Sequence, residues 1–386
     1  MPPYLVWIMA VASGATVANL YYNQPLLAIM AQSFHASPHA IGFIPMLTQI
    51  GYAVGIVLFV PLGDLTEQRR LIVVMLSATA VALALAAIAN NLVWLVAASF
   101  GIGVTAIAAQ IIVPFAAQLT PPSDRGRVVG AIMGGLLIGI LLARTVSGFV
   151  GAIWGWKAMY WLASGLMVVL AITLSRVLPK HQPSLQASYP SLMRSLVQLI
   201  RTQPILQEAS LVGAMCFGAF SAFWTTLVFL LEQPPYHYGS EVTGLFGLVG
   251  IVGASAAPLV GRLADRSSPR LAVGLGITIT AIAFLVFWLL GHQLWGLMSG
   301  VILLDLGVQS AQVANQTRIY SLPSEMHSRL NALYIMFYFV GGAVGSFLGA
   351  YSWSRWQWNG VCALSLLMLA VAFLAFFGKR HRHISV

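Results

Sequence analysis

Long apolar runs alternate with short polar breaks from one end of the chain to the other. Twelve runs stand out, over 5–27, 41–62, 71–89, 92–118, 127–151, 157–176, 205–231, 241–262, 271–290, 294–317, 329–351 and 358–377. Each approaches the roughly 20 residues that a helix needs to cross the hydrocarbon of a bilayer. Most breaks are tight, such as Asn90-Asn91 and Gly291-His292-Gln293. The stretch from Val177 to Pro204 differs: it carries Pro179, Pro183, Pro190 and Pro204 together with Lys180, Arg194 and Arg201. It divides the chain into an N-terminal unit (1–176), a linker (177–204), a C-terminal unit (205–377) and a basic tail (378–386). Within the linker, Leu192, Leu196, Leu199 and Ile200 recur at helical spacing beside basic residues, which predicts a short helix lying on the membrane surface. The run from Tyr4 to Leu20 has no basic residue before it and no small-residue cleavage pattern. It reads as a first span, not as a removable signal.

Charge turns this pattern into a topology. Of nineteen Lys and Arg, sixteen fall in alternate breaks and in the C-terminal tail, from Arg69 and Arg70 through Arg266, Arg270 and Arg329 to Arg382. The other set of breaks holds only Lys157 and Arg355, and Arg144 lies inside an apolar run. Basic residues are retained on the cytoplasmic side, so both chain ends are expected in the cytoplasm. Charged residues make up 7% of the chain and apolar ones 59%, against about 25% charged in soluble domains. The formal charge of +10 is scattered over short loops. That distribution suits contact with anionic membrane lipids and argues against nucleic acid as a partner. The two cysteines, Cys216 and Cys362, both lie in apolar runs, so no disulfide framework is expected.

The halves repeat one another. Asp64 and Asp265 are 201 positions apart, as are Arg69 and Arg270, and Pro122-Ser123-Asp124 aligns with Pro323-Ser324-Glu325 at the same offset. Arg127 and Arg329, and Trp154-Gly155-Trp156 and Trp356-Gln357-Trp358, align at 202. The expected fold is all-α and integral to the membrane: twelve helices as two pseudo-symmetric six-helix bundles around a central cavity. Such a duplication is the architecture of transporters whose halves rock about a shared site. Glycines recur every four positions at Gly51/Gly55, Gly130/Gly134, Gly135/Gly139 and Gly341/Gly345/Gly349, and every three at Gly244, Gly247, Gly250 and Gly253. They predict close helix approach in the second, fifth, eighth and eleventh spans.

These residues resemble the major facilitator superfamily over essentially the whole chain. Its signature, Gly-x-x-x-Asp-basic-x-Gly-x-basic-basic between the second and third spans, has its better copy in the second half: Gly261, Asp265, Arg266 and Arg270, with Ser268 at a glycine place. The first copy keeps Asp64, Arg69 and Arg70 but has Val60 and Glu67 at the glycine places and Leu65 at a basic one. An aspartate at a helix end can meet a neighbouring helix N-terminus or an arginine, so these residues are expected to act as an inner gate. The stretch Asn19-Leu20-Tyr21-Tyr22-Asn23-Gln24-Pro25-Leu26 resembles the bacterial drug and sugar efflux members. The fifth span departs from the family's antiporter motif, with Ile140 for its proline and Ala143 and Arg144 at its last two glycine places. Ser99 stands near the place of an arginine common in the fourth span. The resemblance implies efflux of a small organic solute from a bacterial inner membrane by a monomer. Uptake or uniport is its runner-up.

Two charges stand away from the interfaces. Arg144 is 17 residues past Arg127, about 25 Å along a helix. Asp305 is ten residues past Trp295, about 15 Å in and near the midplane. Charges at such depth face a cavity or a partner, and the two are expected to be coupled, through a bridge in preference to a direct pair. Asp305, Gln309, Gln312 and Gln316 follow one helical face of the tenth span. Asn19 and Asn23, expected on a shared face of the first span, Gln110 on the fourth and Gln49 on the second complete the expected binding set. Neither an ATP-phosphate loop nor a His-Glu-x-x-His zinc motif occurs. No metal or other cofactor is expected, and no enzyme activity; energy would come from a gradient, with the proton as coupling ion and Asp305 as its carrier.

Overall fold

The structure, a computed structural model, describes residues 1–180, 188–265, 268–323 and 326–378, with the backbone alone at 64 and 256–265. The first half comprises α1 (Pro3–Ala18), α2 (Leu27–Phe34), α3 (Pro38–Ile41), α4 (Phe43–Phe59), α5 (Gln68–Ala87), α6 (Leu92–Thr105), α7 (Ala108–Gln118), α8 (Arg125–Trp154) and α9 (Trp156–Val177). Helix α10 (Tyr189–Thr202) lies between the halves in sequence, and the second half comprises α11 (Pro204–Glu232), α12 (Ser240–Asp265), α13 (Pro269–Leu290), α14 (Leu294–Ile319) and α15 (His327–Gly378). No strand occurs among the described residues. Nine of their helices or paired helices are long and apolar enough to cross a membrane. Helix α15 turns at Gln357 and so supplies two crossings. With α1–α2 and α12 the count is consistent with twelve. Side chains such as Trp7, Val93 and Leu289, 74%, 79% and 80% exposed, cover the outside with the apolar surface that lipid requires.

The first span runs further than 5–27. Helix α1 stops at Ala18, a tightened stretch follows, and α2 continues to Phe34. Pro25 has no N–H to donate and disfavours helical geometry in the residue before it. The chain answers with i→i+3 bonds: the amides of Asn19, Leu20, Tyr21, Gln24 and Leu26 reach Thr16, Val17, Ala18, Tyr21 and Asn23. The fourth span likewise breaks between α6 and α7. There the Thr105 hydroxyl donates to the carbonyls of Gly101 and Ile102, a back-bond that bends helices.

The sequence repeat is also a repeat of detail. Gly155 and Gln357, at the turn between the last two spans of each half, both have positive φ, 81° and 52°. Arg69, in the first turn of α5, donates to the carbonyl of Ser175 near the end of α9. Arg270, in the first turn of α13, donates to the carbonyl of Phe376 near the end of α15 at 2.6 Å. Each arginine thus caps the negative end of its half's last helix.

The halves meet along two seams, α4 against α15 and α8 against α12. On the side opposite the chain termini His39 packs on Tyr351, and about halfway along both helices Tyr52 stacks edge-on against Phe339 at 4.5 Å. Along the other seam Ser240 donates to the carbonyl of Gly148, and Thr145 to that of Gly244. Further toward the termini, no described residue comes within 4 Å of a Cβ placed at Gly126, Gly130 or Gly134; the α12 side chains from 256 onward lie outside the described residues.

Candidate functional site

Arg144 projects from α8 into the seam between the halves and is 1% exposed. Its Nε donates to the Gln24 side-chain oxygen at 2.6 Å. Its guanidinium lies 4.0 Å from the ring centre of Trp224, 5.0 Å from that of Tyr21 and 5.6 Å from that of Phe220. Tyr21 and Gln24 come from the tightened stretch of the first span, Phe220 and Trp224 from α11, so the cation is held by both halves. Ring faces attract such a cation, and more strongly once water is excluded. The break in the first span makes the arrangement possible, because Ser147 of α8 donates to the carbonyl of Tyr22 there. Yet Nη2 of Arg144 is buried with no partner.

Asp305 sits on α14, 2% exposed, and its Oδ2 is likewise buried with no partner. The two charges feel each other through space, but no nitrogen–oxygen approach within 4.0 Å makes them an ion pair. Helix α12 lies beside both. A Cβ at Gly247 would lie 3.1 Å from the Arg144 Cβ, and one at Gly250 2.8 Å from the Asp305 Oδ2. Positions three apart on a helix are neighbours, about 5–6 Å between Cβ atoms. The glycine stripe of α12 therefore lets α8, which carries Arg144, and α14, which carries Asp305, pack against adjacent points of one helix.

The rest of the expected binding set divides. Gln309, one helical turn beyond Asp305, is half-buried and has no hydrogen-bond partner among the described residues. Gln312 accepts from the Tyr338 hydroxyl at 3.1 Å, and Gln316 reaches Asn331 at 3.4 Å. Gln110 donates to the Tyr52 hydroxyl within the first half. Gln49 lies across the seam: its amide donates to Ser346 at 2.9 Å, and its oxygen accepts from Ser221. Thr225 donates to the same Ser346 hydroxyl. Both ends of Gln49 are engaged, which makes it a clasp between halves on the side opposite the termini.

Asn19 and Asn23 do not share a face, contrary to the helical spacing. Four residues amount to about 40° from one full turn at 3.6 residues per turn, but to a third of a turn at the 3.0 of i→i+3 bonding. Accordingly Asn19 turns to Met167 of α9 and Asn23 to Thr48 of α4.

Of the expected gate, Arg70 is exposed, and Arg69 and Arg270 bond within their own halves. In this conformation those two do not latch one half to the other. The side chains of Asp64 and Asp265, and all of Arg266, lie outside the described residues. Sequence reasoning missed two participants. Gln24 lies in the first-span motif, but nothing in its spacing points at Arg144. Glu208, 5% exposed near the start of α11, pairs with Arg318 at 2.9 Å and approaches Arg270 at 3.8 Å. Its place four residues after Pro204, inside an apolar run, was the available signal.

Comparisons with known proteins agree with this architecture. The family model described as Major Facilitator Superfamily matches residues 6–328 and 254–385. The "Uncharacterized transporter YgaY" of Escherichia coli O157:H7 is 39% identical over 382 residues, covering 99% of this chain and 97% of its own. A protein of Helicobacter pylori named "Probable sugar efflux transporter" is 23% identical over 333 residues, covering 84% of this chain and 82% of its own. Among solved structures, a bacterial homologue of the human lysosomal transporter Spinster, inward-facing and unoccupied, superimposes with a TM-score of 0.76 at 13% identity, over 97% of this chain and 95% of that one. At that identity the likeness speaks for the fold alone.

Proposed function

This chain belongs to the major facilitator superfamily, it is a multi-pass membrane transporter and not an enzyme, and we propose that it exports a small organic solute across a bacterial inner membrane in exchange for protons. The observation that carries the reading is the pair of buried charges at the seam, each from a different half and each with an unpartnered atom. A charge buried unpaired costs several kcal/mol, so such a pair persists where a ligand, a proton or a rearrangement completes it in turn.

Alternating access follows from placing that site between two bundles. On the side opposite the termini the seams are closed by the Gln49 clasp and the α8–α12 packing. With both termini in the cytoplasm, as the basic alternation indicates, these contacts close the outer side of the site. Opening that side requires breaking the Gln49–Ser346 contact and sliding α8 against α12, where small residues offer few obstacles. Asp305 is the proton carrier in this scheme. It is the buried carboxylate whose oxygen lacks a partner, and Gln309 lies one turn further along the same helix.

Efflux is supported by the first-span motif and by the named activity of the Helicobacter relative. The test is solute accumulation in everted membrane vesicles under an imposed pH gradient. Accumulation that collapses with the gradient supports proton-coupled export; accumulation seen only in right-side-out vesicles would replace export with uptake.

A further inference from the structure

Arg144 and Asp305 together define the charge pattern that would complete the site. Arg144 is already braced by Gln24 and by three rings, and its Nη2, which carries two N–H donors, is buried without a partner. On Asp305 it is Oδ2 that is buried without a partner. The Arg144 Cβ lies against Gly247 and the Asp305 carboxylate against Gly250, consecutive small positions of one helix face, and the two charges do not touch. A plain anion would satisfy Arg144 while bringing like charge toward Asp305. A plain cation would satisfy Asp305 while bringing like charge toward Arg144. Juxtaposed like charges cost several kcal/mol in a desolvated site. A molecule with an anionic and a cationic end avoids both costs.

Resting on the transport reading above, we propose that the seam site takes a zwitterion, an amino-carboxylate whose carboxylate accepts from Arg144 Nη2 and whose ammonium donates to Asp305 Oδ2. Tyr21, Phe220 and Trp224 collar the Arg144 end with aromatic surface, which suits an apolar or aromatic body between or beside the two charges. The two ends are read by different halves of the protein, so the bound solute ties the halves together. Glycine at 250 fits this reading, because any side chain there would occupy the space beside Asp305 Oδ2.

The test uses purified full-length protein and a matched trio of probes: phenylalanine, 3-phenylpropionate, which lacks the amine, and phenethylamine, which lacks the carboxylate. The proteinogenic amino acids, taurine and glycine betaine extend the zwitterion set. Calorimetric affinity or thermal stabilisation is expected to favour a zwitterion over each of its truncated analogues by at least about tenfold. Arg144→Gln should abolish the advantage over the amine, and Asp305→Asn the advantage over the carboxylate. Gly250→Val removes neither charge and should weaken binding of every zwitterion at least about tenfold by filling the space beside Asp305 Oδ2, which keeps the test open where a charge variant fails to fold. An analogue of single charge that binds as well as its zwitterion, an advantage that survives in both charge variants, or no binding by any zwitterion in the set would overturn the proposal. Liposome flux of some other solute would still stand in that case, so failure of the charge pattern is separable from failure of the transport reading.

Discussion

At the scale of single residues, Gly250 carries as much of the account as the charges it faces. A Cβ there would lie 2.8 Å from the Asp305 carboxylate, so a branched side chain must displace it. Overpacking of this kind costs about 1–3 kcal/mol, a cost that a folded bundle survives. Gly250→Val is therefore expected to reach the membrane and elute as folded protein while its solute flux falls at least about tenfold; Gly250→Ala should fall between it and wild type. Normal flux in Gly250→Val would remove Asp305 from the transport path. Glu208 makes the opposite kind of prediction. Its partner Arg318 is only 12% exposed, and removing one member of a buried pair leaves the other charge uncompensated. Glu208→Gln is expected to destabilise the fold by on the order of 3 kcal/mol, read as a lowered unfolding temperature in detergent, with part of the loss recovered in Glu208→Gln/Arg318→Gln. Arg270, 38% exposed, should add little to this.

At the scale of elements, the run lengths and the basic alternation made the helices and their order legible, because hydrocarbon thickness and insertion act on every segment alike. Close packing of α12 was legible too, since glycine spacing reports backbone approach, but its partners α8 and α14 were not. Breaks inside spans were not. Pro25 lies within the predicted first span, but whether a proline kinks or ends a helix depends on what neighbours can bond to the freed carbonyls, here Ser147 to Tyr22. Once the period shortened, the shared face of Asn19 and Asn23 disappeared. Gln49 was legible as a polar residue that must face protein, but not as a clasp, because its partners Ser346, Ser221 and Thr225 lie in the other half. Its position predicts a kinetic phenotype. Gln49→Leu should leave solute affinity within about threefold of wild type while changing the exchange rate between states, since a clasp sets conformational exchange and not the binding contacts. A large loss of affinity with unaltered exchange would return Gln49 to the binding site.

At the scale of the whole molecule, the internal repeat allows two rigid bundles to move about one site. The arginine caps at Ser175 and Phe376 fasten helices within each half, so they should persist while the seams rearrange. Orientation is checked separately: reporter fusions after Thr202 and at the C-terminus should report cytoplasm, and one within the Gln233–Ser240 turn the outside. An outside signal after Thr202 would invert the reading of which side is closed. The rocking itself is tested most directly by pulsed electron–electron distance measurements on two spin-label pairs in liposomes. One pair, at Asn91 and His292, spans the halves on the side opposite the termini; the other, at Gly126 and Ser321, spans them on the termini side. Asp305→Asn, which mimics the protonated carboxylate, is expected to redistribute both distances in opposite senses, one lengthening as the other shortens. Distances that stay fixed in every condition, or that lengthen and shorten together, would contradict alternating access about the Arg144–Asp305 site.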